Sequence, residues 1–584
     1  MWLIVYHICY GCKVTTMAYD KRVVVYDFET WGLGHSAHIA QVGLSEAHLG
    51  ALTSPKSVQS SYIQPNPDTP ISAQAVAVHG VTPQYAVANG VPEINAAIGL
   101  DRRLSEPNTL IAGYNNKGFD DHVRRHLMWR YLIEPYDCEW RGNNAIVDVY
   151  QLAQLARLYG SNKINWPTIT ENGVTRETLS LEALVQANGL DRDLASRSGA
   201  HDAGYDTLQT LALWDLVRKV EPQIHDLWLS YTNRATNASL LVRDGQHMKP
   251  VLLLRRREGD FVRPILPIGR LAGNEWVGVA LDSPHLKSLA RASSATIAAA
   301  LRFEEGVDEQ SAQTVRDALV TFNTKRDILL PADFKNRQNE MVARSLSVDV
   351  TLLHANKLLA QSLDPKKLIA GATRGEAELG DNPDANLYRA GFPSDTERAE
   401  IENALDLPEH EQWQIIRTLS HDFPRGDYER RAALRLARRT AFLPQSCRAP
   451  VPRGAYKVAL GIMSKRAFIE ADGPSIKHTA QSSIDFVREN KCQMPTHFDL
   501  ANITPDQVRG NLALAHVAVA AWSKSALQAL DHVQTHLRQR SLDKAIQTFE
   551  NYTGNMWSEC REGVKPAALE QAPCPQQPTG VWMG

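Results

Sequence analysis

The chain has 584 residues, with hydrophobic residues at 43%, charged residues at 22% and a formal net charge of −2. That length predicts three or four domains, and the composition is that of a soluble globular protein, which excludes a collagen, a low-complexity chain or a wholly disordered one. Lys+Arg 63 against Asp+Glu 65 excludes a globally basic nucleic-acid coat but leaves room for a locally basic groove.

The first segment, Trp2–Cys12 (WLIVYHICYGC), is apolar but about half the ~20 residues a spanning helix needs. It has no basic flank and no small-residue cleavage site, so neither membrane insertion nor secretion is expected. Residues 1–19 are read as an extension ahead of the first strand. Seven cysteines show no repeated spacing, and the lone Cys9–Cys12 pair lacks a second pair for a zinc framework. A reducing cytoplasm is the expected setting.

Arg22–Thr30 (RVVVYDFET) predicts a central strand buried on both faces. At its end, Asp27 and Glu29 are two residues apart and therefore share a face. Two adjacent carboxylates repel and raise one another's pKa unless a cation neutralises them. Alone, such a pair is more often a solvated strand end before a turn, here Gly32–Gly34. After a short apolar run ending at Gly113, Asp120 and Asp121 open a helical pattern, where either could serve the helix dipole. A third cluster, His201–Asp206 (HDAGYD), precedes apolar residues at helical spacing. Asp202 is the predicted N-cap, with His201 just outside and Asp206 just over one turn inside. An isolated histidine there is ordinarily a loop residue.

D-x-E on a strand, N-x-x-F-D at a helix start and H-x(4)-D at a second helix start occur in that order. The combination resembles the DEDDh family of 3′→5′ exonucleases, which have a ribonuclease H-like fold. YDFETWG, GYNNKGFDDH, INWP and AHDAGYDT, with HMKP and NPDANLYRAGF further on, are most similar to the bacterial exonuclease I branch. The resemblance covers residues 20–218 well, is patchy to about 445, and is not seen beyond 450.

The resemblance implies catalytic Asp27, Glu29, Asp120, His201 and Asp206. Phosphodiester hydrolysis needs charge neutralised on the phosphate and a nucleophile drawn from water, which two metal ions about 3.5–4 Å apart supply. Asp27, Glu29 and Asp206 would hold the tighter site; Asp27, with Asp120 through water, would hold the second. Oxygen-only ligands suit two Mg²⁺ ions, with Mn²⁺ as substitute. His201 would be the general base. Thr30, Asn116 and Phe119 are expected near the terminal nucleotide, and Trp166 is the candidate for base stacking, against the alternative of a core tryptophan.

The expected architecture is mixed α/β: an exonuclease domain over 20–218, a middle domain over 219–365 that the resemblance implies to be SH3-like and β-containing, a helical domain over 366–450, a helical extension over 451–562 and a disordered tail over 563–584. Short strands are predicted at Leu240–Val242, Val251–Leu254 and Trp276–Leu281, and helices near Leu286–Leu301 and Ala312–Phe322. Between Arg417 and Arg466, twelve Lys/Arg stand against three Asp/Glu. Within that stretch Arg430, Arg431, Arg435, Arg438 and Arg439 recur at helical spacing, predicting a basic face for a DNA backbone, against the alternative of a solvated helix. Thr504–Gln507 reads as a capping box opening a long helix that runs to about Tyr552, with a break near Ser541.

The resulting expectation is a metal-dependent exonuclease that trims single-stranded DNA from its 3′ end, in repair or recombination. By resemblance it could also bind the acidic tail of single-strand DNA-binding protein. An RNA-directed or proofreading DEDDh exonuclease, and a nucleic-acid-binding scaffold with an inactive nuclease domain, remain as alternatives. The complete set of five residues argues against a scaffold.

Overall fold

The computed structural model describes residues 21–561 except 162, 192–201, 258–259, 303–307, 333–349, 374–377, 445, 447, 449 and 471–472. The chain divides into two compact units. One comprises the described residues of Asp20–Ile146, Ala195–Leu208 and Glu378–Gly584; the other comprises those of Val147–Leu194 and Gln209–Ala377.

The first unit is built on a mixed sheet of strands β1 (Arg22–Thr30), β2 (Ile39–His48), β3 (Ser57–Gln64), β4 (Val91–Pro92), β5 (Thr109–Gly113) and β6 (Ala145–Asp148), in the order β4-β3-β2-β1-β5-β6. β1 is central, antiparallel to β2 and parallel to β5. Its run Val23–Tyr26 is almost wholly excluded from solvent, as expected of a strand covered on both faces. This is the expected ribonuclease H-like core.

Helices α1 (Ala73–His79), α2 (Glu93–Leu104), α3 (Asp120–Arg130) and α4 (Ala203–Val220) follow in the chain, and the carboxyl-terminal part is all helical. Its helices include α5 (Tyr428–Thr440), α6 (Arg453–Phe468), α7 (Leu512–Arg538) and α8 (Leu542–Arg561). Their apolar faces form a core of Leu434, Leu436, Leu460, Met463, Leu530 and Phe549. A second cluster joins Trp31, Val76, Val81 and Val87 to Phe442, Val508, Val519 and Trp522.

The predicted long helix from Thr504 is interrupted. The capping box forms, but Pro505–Val508 makes only one turn, and Gly510 at φ +75° reverses the chain before Asn511 caps α7. The break expected near Ser541 is present, between α7 and α8.

In the second unit a five-stranded antiparallel sheet runs Leu319–Asn323, Glu275–Ala280, Asp260–Arg270, Val251–Arg257, Leu329–Pro331. Two local expectations are corrected there. Leu240–Val242 lies ahead of a two-residue strand, Arg243–Asp244. The helix expected through Phe322 stops at Ala318, because Val320, Thr321 and Phe322 favour the strand that pairs with Glu275–Val279. No helix among the described residues is long and apolar enough to cross a membrane.

Candidate active site

Asp27 and Glu29 leave the same face of β1 at its carboxyl end. Asp206 enters from the first turn of α4, so that one carboxylate oxygen from each of the three lies within 4.8 Å of the others. The register of β1 against β2 shows how α4 is brought there. Asp27 lies opposite Gly43, Glu29 opposite Gln41 and Val25 opposite Ser45. The β2 residues at period two thus share the acids' face and form a seat for the helix start.

Gly43 leaves room for it: a Cβ would sit 2.1 Å from the Ala203 carbonyl oxygen. Gln41 Nε2 donates to Asp202 Oδ2 at 2.6 Å, and the Ser45 and Thr207 hydroxyls are 2.6 Å apart. Asp202 Oδ1 accepts from the Tyr205 amide at 3.1 Å, the predicted N-cap contact. Gln41, Gly43 and Ser45 were not singled out in the sequence. Their signal is the i, i+2, i+4 run of small or polar residues inside an otherwise apolar strand.

Asp120 and Asp121, adjacent at the start of α3, diverge. Asp120 opens α3, and its Oδ1 accepts from the Phe28 amide at 3.3 Å. Asp121 turns instead to the protein interior, where it accepts from the Tyr26 hydroxyl and from Asn116 Nδ2. Burial raises the Asp121 carboxyl, but Arg125, Arg124 and the Tyr26 hydrogen bond outweigh it and hold it below its ordinary value.

The cluster itself behaves oppositely. Burial pushes Asp27 well above its ordinary value, reinforced by Asp120 and Asp202. Glu29 is likewise raised, first by burial, then by Asp27, Asp206 and Asp120, with Arg509 opposing. Like charges gathered in a partly desolvated place are stable as anions when a cation joins them. Oxygen-only donors of this kind fit a hard divalent ion.

The remaining candidate contacts are dispersed. His201 lies outside the described residues. Thr30 is nearly buried and its hydroxyl donates to the Gly32 carbonyl at 2.8 Å. Asn116 is fully buried beside Asp121, and Phe119 packs against the sheet core. Trp166 belongs to the second unit, half-buried, with the Arg157 guanidinium 6.0 Å from its ring centre.

The predicted basic face of α5 is largely turned inward. Arg431 is buried with its guanidinium 3.4 Å from the Trp129 ring centre and donates to the Trp129 and Gly426 carbonyls. Arg438 is fully buried and donates to both Asp68 and Asp384. Arg435 reaches Gln412 Oε1 at 2.9 Å, and Arg430 pairs with Asp427 at 2.6 Å; Arg439 is half-buried. The 3–4 spacing is real, but the stripe faces the interior because Ala432, Ala433, Leu434, Leu436 and Ala437 bury the helix on the other sides as well.

Residues 24–214, from β1 into α4, match the family model described as Exonuclease. The exodeoxyribonuclease I of Escherichia coli K12 is 28% identical over 425 residues, covering 66% of this chain and 80% of that one. That of Haemophilus influenzae is 26% identical over 404 residues, covering 67% and 81%. The chain carries an exonuclease domain and is similar to bacterial exonuclease I. The likeness extends through the fold. E. coli exonuclease I in complex with a dA16 oligonucleotide superposes with a TM-score of 0.67 at 21% identity, over 87% of this chain and all of that one. The enzyme from Methylocaldum szegediense gives 0.63 at 21% identity, over 87% and 99%. The matched exonuclease segment contains Asp27, Glu29, Asp120, His201 and Asp206.

Proposed function

We propose that the protein hydrolyses single-stranded DNA from a free 3′ end, releasing nucleoside 5′-monophosphates, and that Asp27, Glu29, Asp120 and Asp206 hold two divalent ions, Mg²⁺ or Mn²⁺. The observation that carries this is the convergence of three carboxylates within 4.8 Å at a strand end. Bound there, divalent ions neutralise phosphate charge and make water a better nucleophile at neutral pH. The chain's own residues do the rest. Asp27 and Glu29, fixed on the central strand, set the position of the scissile phosphate. Gln41, Gly43 and Ser45 hold Asp206 in place through the start of α4. Asp120 faces the cluster from α3, while His201 takes the proton of the attacking water, a step worth roughly 10²–10⁴-fold in rate.

The choice of DNA over RNA follows the similar solved structures, one of E. coli exonuclease I with dA16 and another an ExoI/SSB-Ct complex. By the same reasoning single-stranded DNA and the acidic tail of single-strand DNA-binding protein are the proposed partners, DNA repair or recombination the proposed role and the cytoplasm the proposed location. The domain division 20–218, 219–365, 366–450 and 451–562 is kept as a proposal, with the five-stranded sheet as the SH3-like middle domain. Thr30, Asn116, Phe119 and Trp166 are the candidate nucleotide contacts.

End-labelled oligonucleotides test the reading. Stepwise loss from free 3′ ends of single-stranded DNA with Mg²⁺, stopped by EDTA, is expected. Loss of RNA alone would keep the site and overturn the substrate, and no metal-dependent loss would overturn the enzyme assignment.

A further inference from the structure

Asp121 is a carboxylate that the proposed hydrolysis does not use, and it is almost wholly buried (1% exposed). It accepts from the Tyr26 hydroxyl and, at 3.4 Å, from Asn116 Nδ2. Neither donor carries a formal charge, while Arg124 and Arg125 each pair with Glu139 at 2.6 Å. Burying a carboxylate is costly, and what it gives in return is a stronger hydrogen bond than a neutral acceptor makes. The place of that bond in the fold shows what the strength is for.

The parallel pairing of β1 with β5 ends at Val25 opposite Ala112, and β5 itself ends at Gly113. Beyond that point two residues of β1 bond to the first turn of α3. The Phe28 amide donates to Asp120 Oδ1 at 3.3 Å, and the Tyr26 hydroxyl donates to Asp121 Oδ1. Tyr26 and Phe28 lie on either side of Asp27 in the strand, and their buried rings are 5.2 Å apart. By the strand period they take the face opposite Asp27 and Glu29. The two bonds to α3 therefore bracket Asp27.

A bond of 3.3 Å is long for an amide donor and holds Asp120 weakly by itself. A helix start held at one point can pivot; a second point stops it. Asp121 supplies that point and is anchored in turn. Its amide donates to the Asn116 carbonyl at 2.8 Å, and Asn116 sits so close to the end of β5 that a Cβ on Gly113 would lie 2.7 Å from its Cβ. Successive residues of an α-helix are turned by about 100° about its axis, so fixing Asp121 toward the interior also fixes the direction in which Asp120 leaves the helix.

We infer that Asp121, through the Tyr26 hydroxyl, is a positioning residue for the second divalent ion: it locks the first turn of α3 so that Asp120 stands at a fixed distance from Asp27. This rests on the exonuclease reading, with Asp120 as a ligand, and gives the second acid of the Asp120–Asp121 pair a part of its own.

Tyr26→Phe removes one hydroxyl and keeps the ring. Mn²⁺ binding followed by EPR, in the presence of a hydrolysis-resistant phosphorothioate single strand, reads the ions without turnover. Tyr26→Phe is expected to weaken the weaker of the two sites about 10-fold or more, the ordinary effect of losing a partner behind a metal ligand, and to leave the tighter site unchanged. The half-saturating Mg²⁺ concentration for hydrolysis should rise in step. Asp121→Ala should match Tyr26→Phe, and Asp121→Asn, which keeps an uncharged acceptor for the hydroxyl, should lose less. With Asp120→Asn already in place, adding Tyr26→Phe should cause no further loss. Unchanged Mn²⁺ affinity in Tyr26→Phe would overturn the inference. So would equal weakening of both sites, or the same loss again on top of Asp120→Asn, since the bond would then serve the fold and not Asp120. The exonuclease reading fails separately, on absence of hydrolysis by the wild type.

Discussion

Two groups of buried charge in the same unit face opposite ways energetically. At the end of β1, Asp27, Glu29 and Asp206 crowd together and the first two stand above their ordinary pKa. Elsewhere in that unit, Asp68 and Asp384 accept from Arg438 and Arg466, while Glu93 accepts from Arg130 and lies 3.1 Å from His38. There burial pushes the carboxylates up, but the guanidiniums outweigh it and hold Asp68, Asp384 and Glu93 below their ordinary values. Charge matched within the chain joins the sheet to the helices. Charge left unmatched at a strand end marks the place where something must bind.

The largest expected effect breaks the unmatched group. Asp27→Ala should abolish metal-dependent hydrolysis while single-stranded DNA binding persists, checked by gel assay and anisotropy; appreciable residual turnover would refute the metal assignment. Removing one anion also relieves repulsion, so the same variant in EDTA should melt no lower than the wild type. His201→Ala should reduce kcat by roughly 10²-fold or more if His201 is the general base. A near-wild-type rate would return it to an ordinary loop residue.

The matched group predicts loss of stability instead. Asp384→Asn takes one charge from a buried network and should cost about 3–5 kcal/mol, read by denaturant unfolding. Because Asp384 and Asp68 titrate below the unfolded carboxylate value, their contribution is fully present above about pH 4 and disappears as pH falls from there through their depressed values. The variant should therefore lose less stability than the wild type over that acid range.

A smaller effect probes the seat of α4. Gly43→Ala places a methyl against the Ala203 carbonyl and should cost about 1–3 kcal/mol. Its catalytic loss should be larger than that of an equally destabilising core variant, since the strain falls on the helix that carries Asp206.

Much of this was legible in the sequence where chemistry and local geometry coincide. The i, i+2 placement of Asp27 and Glu29 follows from the strand period, and the Asp202 cap from the residues ahead of an apolar helix. Asp120 and Asp121 could not be separated by spacing, because both open α3 and the choice depends on Tyr26 and Arg125 lying on the far side. The arginine stripe of α5 misled because periodicity reports which residues share a face and says nothing of what covers it. Asp68 and Asp384, far apart in sequence, cover it here.

The most direct test is to follow mononucleotide release from 3′-labelled and 5′-labelled single-stranded DNA by the wild type and by Asp206→Ala, with Mg²⁺ and then EDTA. The account predicts immediate loss of the 3′ label and progressive shortening of the 5′-labelled strand by the wild type with Mg²⁺ only, and neither by the variant. Equal release by Asp206→Ala, or release that survives EDTA, would contradict it.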